Sequence, residues 1–356
     1  MRRGAPVLIR GAHAGEASIA VAAETVEAQT LRILEARFGA PFAVLTHHRA
    51  ATLKIPLYTP EVVLIREKEN YSAEALRTLA DPAFDLAYPL KGPFDVSRNP
   101  PPATAAASVR LAKLAGLLPA IALFPVKEAA SVALELEASL SEVSAADIVH
   151  FDTDSAARLN LIARVSVPLK AAEDTELAAF RPEHGGPEHY AIIIGNRASP
   201  ALATANAVLT RLHSECFTGD LLGSLRCDCG DQLRGAVASI AASGGGVLLY
   251  LAQEGRGIGL MNKLRAYRLQ DEGFDTMEAN TRLGFAPDER MYGIAARMLK
   301  LLGYSKVRLM TNNPEKVRAL AAAGIEIVER VPHSFPSNIH NRDYLRAKAE
   351  KGGHIF

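Results

Sequence analysis

The chain has 356 residues, with 40 Lys+Arg against 39 Asp+Glu and a formal net charge of +1. It is 49% hydrophobic and 22% charged, which excludes disorder on a large scale and any global field for nucleic acid or an anionic membrane. An anionic ligand must therefore be held by local clusters of charge. At about 150 residues per domain the length suggests two domains.

The N-terminal part alternates apolar strands with alanine-rich helical patterns. Residues 17–38 include a helical run at 27–35, and residues 42–46 and 61–65 read as strands. Pro100-Pro101-Pro102 breaks the chain ahead of a helical pattern at 105–117. The most apolar stretch, residues 114–126, contains Pro119 and is shorter than the roughly 20 residues of a membrane span. Arg2 and Arg3 precede too brief an apolar run for a secretory core. These features predict a cytoplasmic protein with neither nucleic acid nor membrane as a partner.

A boundary is expected near residue 160, giving domains 1–160 and 161–356. The polar stretch 181–188 is either a linker or a hairpin loop, since 163–167 and 190–194 both read as strands. Further on, the pattern becomes strand, loop and helix in repetition. Residues 246–251 form a buried-strand run, 253–259 a glycine-rich loop, and 260–271 a helix. A strand at 307–310 leads through Thr311-Asn312-Asn313 into a helix, with Asn313 as N-cap and Pro314 at the first helical position. A strand at 325–328 closes the series. The fold class expected is α/β (α+β with mixed sheets), in two domains.

Four constellations carry chemistry. Cys216, Cys227 and Cys229 are the three cysteines, confined to a short stretch of the chain. An odd number without an export signal argues against a disulfide framework. They are either small buried residues or a metal site, and three thiolates with an open fourth position suit catalytic zinc. His213 is a fourth ligand, or it faces substrate or core. The loop Glu254-Gly255-Arg256-Gly257-Ile258-Gly259 either cradles an anion on its backbone N–H groups or is a tight packing turn. Lys316, in the first turn after Asn313, reaches a phosphate or is a solvated lysine. Asp288 and Arg290 form a catalytic pair or a surface ion pair.

Taken together, these segments resemble GTP cyclohydrolase II from about residue 165 onward. The matching pieces are R-L-H-S-E-C-F-T-G-D from 211, S-L-R-C-D-C-G-D-Q-L from 224 and Q-E-G-R-G-I-G-L-x-N-K-L-R-A-Y-x-L-Q-D from 253. D-T-M-E-A-N-x-x-L-G-F-A-P-D-E-R from 275 and L-M-T-N-N-P-E-K from 309 complete the set. The resemblance implies zinc on Cys216, Cys227 and Cys229, one ion per chain, with Mg2+ accompanying the triphosphate. GTP would be bound by Arg211, Leu212, His213, Ser214, Glu215, Gln232, Glu254, Gly255, Arg256, Thr276, Thr311 and Lys316. Tyr267 would sit over the base and Asp288 would accept a proton. Arg290 is the position proposed in the family as nucleophile toward the α-phosphorus, a role at odds with a guanidinium pKa above about 12. Stabilising the phosphate suits it better.

The implied reaction opens the guanine imidazole ring at C8 and releases formate and pyrophosphate. It leaves 2,5-diamino-6-(5-phosphoribosylamino)pyrimidin-4(3H)-one, at the first step of riboflavin biosynthesis. Glu215 and Gln232 offer groups that pair with a guanine edge. A homodimer is expected. The alternatives are a paralogue acting in another nucleotide pathway, such as pyrimidine degradation, and a non-catalytic GTP-binding regulator.

The N-terminal part is similar to the framework of 3,4-dihydroxy-2-butanone 4-phosphate synthase, at residues 16–24, 88–90 and 109–117. That family's acidic run falls here on Ile9, Arg10, Gly11, Ala12, His13, Ala14, Gly15 and Glu16, and its G-H-T-E motif near Ala103, Thr104, Ala105 and Ala106. Enolising a sugar phosphate needs a metal and a base. The expectation is a degenerate scaffold without synthase activity.

Overall fold

The computed structural model describes residues 1–13, 15–66, 71–126, 140–195, 207–350 and 353, so Ala14 lies outside the described residues. The chain forms two compact units. The first joins Met1–Phe151 to Met261–Glu289, and the second joins Asp152–Leu260 to Arg290–Phe356. Each contains one seven-stranded sheet.

In the first unit the strands are β1 (Val7–Arg10), β2 (Ala17–Ala22), β3 (Phe42–Thr46), β4 (Val62–Arg66), β5 (Asp95–Val96), β6 (Ala120–Val126) and β7 (Ser141–Ser144). Their order is β5-β4-β3-β6-β2-β1-β7. All pairs are antiparallel except β1 with β7. Every residue of β2 is buried, as a strand covered on both faces requires. The helix Ala103–Leu114 lays Ala105, Ala107, Val109 and Ala112 against Ile9, Val44 and Leu123. Its small side chains allow a close approach to the sheet. Deeper in, Arg49 is 1% exposed and donates from both Nη atoms to Asp85, at 2.6 and 2.7 Å. Lys91 is paired to the same carboxylate.

The segment 261–289 belongs to this unit through specific polar contacts. Arg265 donates to Glu24 Oε1 at 2.7 Å, while Glu24 Oε2 accepts from the Leu118 N–H at 2.7 Å. Asn262 donates to the Gly116 carbonyl at 3.3 Å and Thr46 Oγ1 to the Gly284 carbonyl at 2.7 Å.

The second sheet consists of β8 (Leu159–Ser166), β9 (Thr175–Pro182), β10 (His189–Ile194), β11 (Val208–Ser214), β12 (Gly246–Leu251), β13 (Lys306–Met310) and β14 (Glu326–Val331). The order is β14-β13-β11-β12-β10-β9-β8. The sheet is mixed, with β8, β9, β10 and β12 antiparallel in turn and β12, β11, β13 and β14 parallel. The stretch 181–188 is the end of β9 and the hairpin loop 183–188 that joins it to β10, the two strands pairing from Phe180↔His189. Alternation sends neighbours to opposite faces. Leu249 and Leu309 pack with Met298 and Leu299 of the helix Gly293–Leu301, whereas Leu248 and Met310 pack with Ala236 and Ile240 of the helix Cys229–Ala242. The mixed α/β class expected from the sequence is what the chain adopts.

Parallel pairing of β12, β11 and β13 has one consequence for function. Their carboxyl ends lie at the same edge, with Ser214 level with Leu251 and Arg211 level with Met310. The segments that follow them therefore emerge together, where open α/β sheets bind ligands.

Removing the charge of Asp85 leaves Arg49 buried without its counter-ion. Asp85→Asn should destabilise the protein by about 3 kcal/mol, measured by chemical denaturation.

Candidate active site

Cys216 follows β11 and opens a tight turn, Phe217–Leu221. Cys229 begins the helix Cys229–Ala242, with Cys227 two residues ahead of it. The turn brings the three sulfurs within 4.8 Å of one another, and Cys216 Sγ to Cys227 Sγ is 3.7 Å. Four-coordinate tetrahedral zinc with bonds of about 2.3 Å would set its sulfurs roughly 3.8 Å apart. The donor set and its spacing thus fit zinc. Gly219 makes the room, since a Cβ there would lie 2.8 Å from Cys227 Sγ and 3.0 Å from Cys216 Sγ. Its N–H donates to Cys216 Sγ at 3.3 Å. The hydrogen bond with Cys216, followed by burial, raises Cys227 to about 11. Cys229 is also raised, again by its thiol neighbours first. Among the described residues, these cysteines form the one group of three or more His, Cys, Asp or Glu side chains suited to a metal.

Asp220 ties the turn to the sheet. Its carboxylate accepts from the Cys216 N–H and from Tyr250 Oη, both at 3.0 Å, and lies 3.0 Å from His213 Nε2. His213 is 3% exposed and stacks on Tyr250 at 5.6 Å between centroids. Burial holds its pKa below the ordinary value, with Asp220 opposing and Arg211 and Lys316 reinforcing the shift. In this arrangement His213 Nε2 is directed to a carboxylate.

Arg211 is buried, donating from Nη1 to the Met310 carbonyl at 3.0 Å and from Nη2 to Gln232 Oε1. Burial lowers its pKa to about 10; Asp228 and Cys229 oppose that shift, and Arg290 adds to it. Gln232 donates in turn to Asp228. Both ends of the Gln232 amide are therefore engaged, and in this arrangement it fixes Arg211. Lys316 is 6% exposed, so it is no solvated lysine. Its Nζ donates to the Leu212 carbonyl at 2.7 Å and lies 6.0 Å from the Tyr292 ring centroid. Arg290 Cζ is 5.7 Å from the same ring. Thr311 Oγ1 accepts from the Asn313 N–H at 3.0 Å.

The glycine loop behaves differently from a phosphate cradle. Gly255 and Arg256 both have φ of 62°, in the left-handed region. The N–H groups of Gly255, Gly257 and Gly259 are taken by Glu254 Oε1, the Gln253 carbonyl and the Glu254 carbonyl. A turn that closes on itself uses its own donors. Glu254 Oε2 accepts from the Phe217 N–H at 2.6 Å, linking this loop to the cysteine turn. A non-glycine residue in the left-handed region costs about 1 kcal/mol or more, and such strain gathers at functional sites.

Three buried atoms here have no hydrogen-bond partner: Arg211 Nε, Ser214 Oγ and Gln253 Oε1. The sequence reading gave no role to Asp220, Gln253 or Gly219, although all three lie inside or beside its motifs. Tyr267, Thr276 and Asp288 belong to the first compact unit. Tyr267 lies on the helix Leu260–Asp271, Thr276 begins the helix Thr276–Arg282 and accepts from Gln270 at 3.2 Å, and Asp288 follows Pro287 in a loop.

The family model described as GTP cyclohydrolase II matches residues 160–332. GTP cyclohydrolase-2 of Azospirillum brasilense is 49% identical over 359 residues, covering 100% of this chain and 92% of that protein. The chain belongs to the GTP cyclohydrolase II family. Riboflavin biosynthesis protein RibBA of Bacillus cereus is 54% identical over 169 residues, covering 48% of this chain and 41% of that protein. A solved two-domain 3,4-dihydroxy-2-butanone 4-phosphate synthase from A. baumannii covers 94% of this chain and 97% of its own, at 17% identity and a TM-score of 0.34, too low to carry an argument. In the A. brasilense relative, the likeness to this GTP cyclohydrolase II family member spans both compact units.

Cys227→Ser should fail to retain added zinc through dialysis. Gly219→Ala should weaken zinc binding by about tenfold, as read by competition with a chelator.

Proposed function

We propose that this chain hydrolyses GTP at C8 of the guanine ring, releasing formate and pyrophosphate in the first step of riboflavin biosynthesis. The observation that carries the reading is the buried three-cysteine cluster beside Arg211, Lys316 and Arg290. One group of side chains suits a metal and the other suits a polyphosphate. Family membership gives the substrate class, and the relative named as a riboflavin biosynthesis protein supports the pathway.

Cys216, Cys227 and Cys229 would hold one zinc ion, which when bound supplies a Lewis acid that lowers the pKa of water toward neutrality. C8 lies between two ring nitrogens and is the carbon open to attack by water; hydrolysis of its two C–N bonds consumes two waters, leaves both nitrogens as amines on the pyrimidine and frees C8 as formate. A third water cleaves the α–β phosphoanhydride, leaving the 5′-phosphate on the product and freeing pyrophosphate. Asp220 holds the cysteine turn and His213 in register, and Gln232 holds Arg211. Arg211, Lys316 and Arg256 would face the triphosphate with its Mg2+, placing local positive charge on a nearly neutral protein. Ser214, Glu215, Glu254 and Thr311 complete the binding set, with Leu212 presenting the carbonyl that fixes Lys316. Thr276 and Tyr267 would contact the nucleotide, Asp288 would accept a proton, and Arg290 would stabilise the phosphate as a cation.

Residues 1–151 carry no synthase chemistry in this reading. Ile9 is buried in β1, and Thr104 is buried against Ser18 at 2.8 Å. Glu16 Oε1 accepts from the Ala103 N–H at 3.0 Å, capping a helix.

The full chain, loaded with zinc and given GTP with Mg2+, should yield formate, pyrophosphate and the diaminopyrimidine in equal amounts. Intact GTP after incubation with zinc-loaded protein would sink the proposal. Arg290→Lys should keep pyrophosphate release within about tenfold of wild type, because a cation remains there. Ribulose 5-phosphate should be left unconverted.

A further inference from the structure

We propose that Lys113 is a positioning residue for the loop that carries Asp288. The inference rests on the role given to Asp288 above. Lys113 lies in the last turn of the helix Ala103–Leu114, outside the residues matched by the family model. Its Nζ is 2.6 Å from Glu289 Oε1, and that same oxygen accepts from the Ala286 N–H at 2.7 Å. Glu289 thus closes the loop 286–289 on itself while Lys113 ties the closure to the helix. Asp288 is the residue bonded directly to Glu289.

The surroundings leave this loop little freedom on its near side. Gly284 has φ of +87°, and a Cβ there would lie 2.9 Å from Pro119 Cγ and 3.0 Å from Thr46 Oγ1. Thr46 Oγ1 donates to the Gly284 carbonyl. Phe285 is 2% exposed, with Lys113 Nζ 5.7 Å from its ring centroid. Asn280 donates to the Pro287 carbonyl at 3.5 Å, a long bond. Beyond Phe285, the ion pair to Lys113 ties the stretch 286–289 to residues 1–151.

Lys113 lies outside the apolar cluster that its helix builds from Ala105, Ala107, Val109 and Ala112, and its half-buried stem ends over the Phe285 ring. Exchange of its charged end can therefore be separated from loss of the fold. The inference also gives residues 1–151 a part in a reaction for which they hold none of the metal-binding cysteines.

The test compares zinc-loaded full-length wild type, Lys113→Met and Lys113→Arg. Lys113→Met should lower kcat for formate release about tenfold, with KM for GTP within about twofold and zinc content unchanged. Lys113→Arg, which keeps the ion pair, should restore most of kcat. In parallel, amide hydrogen exchange across residues 284–290 should quicken about tenfold in Lys113→Met and not in Lys113→Arg. Unchanged exchange in Lys113→Met overturns the inference, and so does faster exchange accompanied by wild-type kcat. If wild type itself releases no formate, the reading of the site fails, and the exchange arm still decides whether Lys113 holds the loop.

Discussion

Three thiol sulfurs within 4.8 Å of one another, Cys216 and Cys227 buried and Cys229 partly so, cannot all give up their protons unless a cation shares the space. Much of the second unit follows from that crowding. The turn tolerates no side chain at Gly219, and a Cβ at Gly230 would meet the Gly219 carbonyl at 2.3 Å. Asp220 reaches back to the Cys216 N–H, so the first thiol is fixed by the residue that also faces His213 and Tyr250. Arg211 stands behind the same group, linked to it through Gln232 and Asp228. The cysteine turn, the Asp228 carboxylate and the Arg211 guanidinium are thereby joined through one chain of contacts.

On a chain of nearly balanced charge, Arg211 and Lys316 are buried near the carboxyl ends of adjacent parallel strands, where β11, β12 and β13 release their loops. The glycine-rich loop supplies shape more than field. Its amides are spent within the turn, and its left-handed residues Gly255 and Arg256 bring Glu254 onto the Phe217 N–H. Backbone and side chain divide the work, one fixing the position of the cysteine turn and the other providing charge.

The sequence disclosed what is local. Apolar runs marked β3, β4, β10 and β12, and Asn313-Pro314 marked a helix start that the structure keeps, with Asn313 capping the Glu315 N–H. The cysteine spacing pointed to the cluster that the turn forms. β9 escaped notice because Glu176 and Arg181 interrupt its apolar pattern, leaving a strand of uneven burial. The double engagement of Gln232 was likewise invisible, since it depends on Arg211, twenty-one positions away in the chain. Among the ties of 261–289 to the first unit are single polar contacts across very long separations, such as Arg265 with Glu24 and Gly284 with Thr46. Contacts of that kind leave no periodic trace.

The chain passes between its two units at 151/152, at 260/261 and again at 289/290. A gene rearrangement that cut near residue 160 would separate Glu24 and Lys113 from Arg265 and Glu289, their partners on the far side of the break. A chain lacking residues 1–151 would keep Arg265 and Glu289 but lose these ion-pair partners, each more than a hundred positions away.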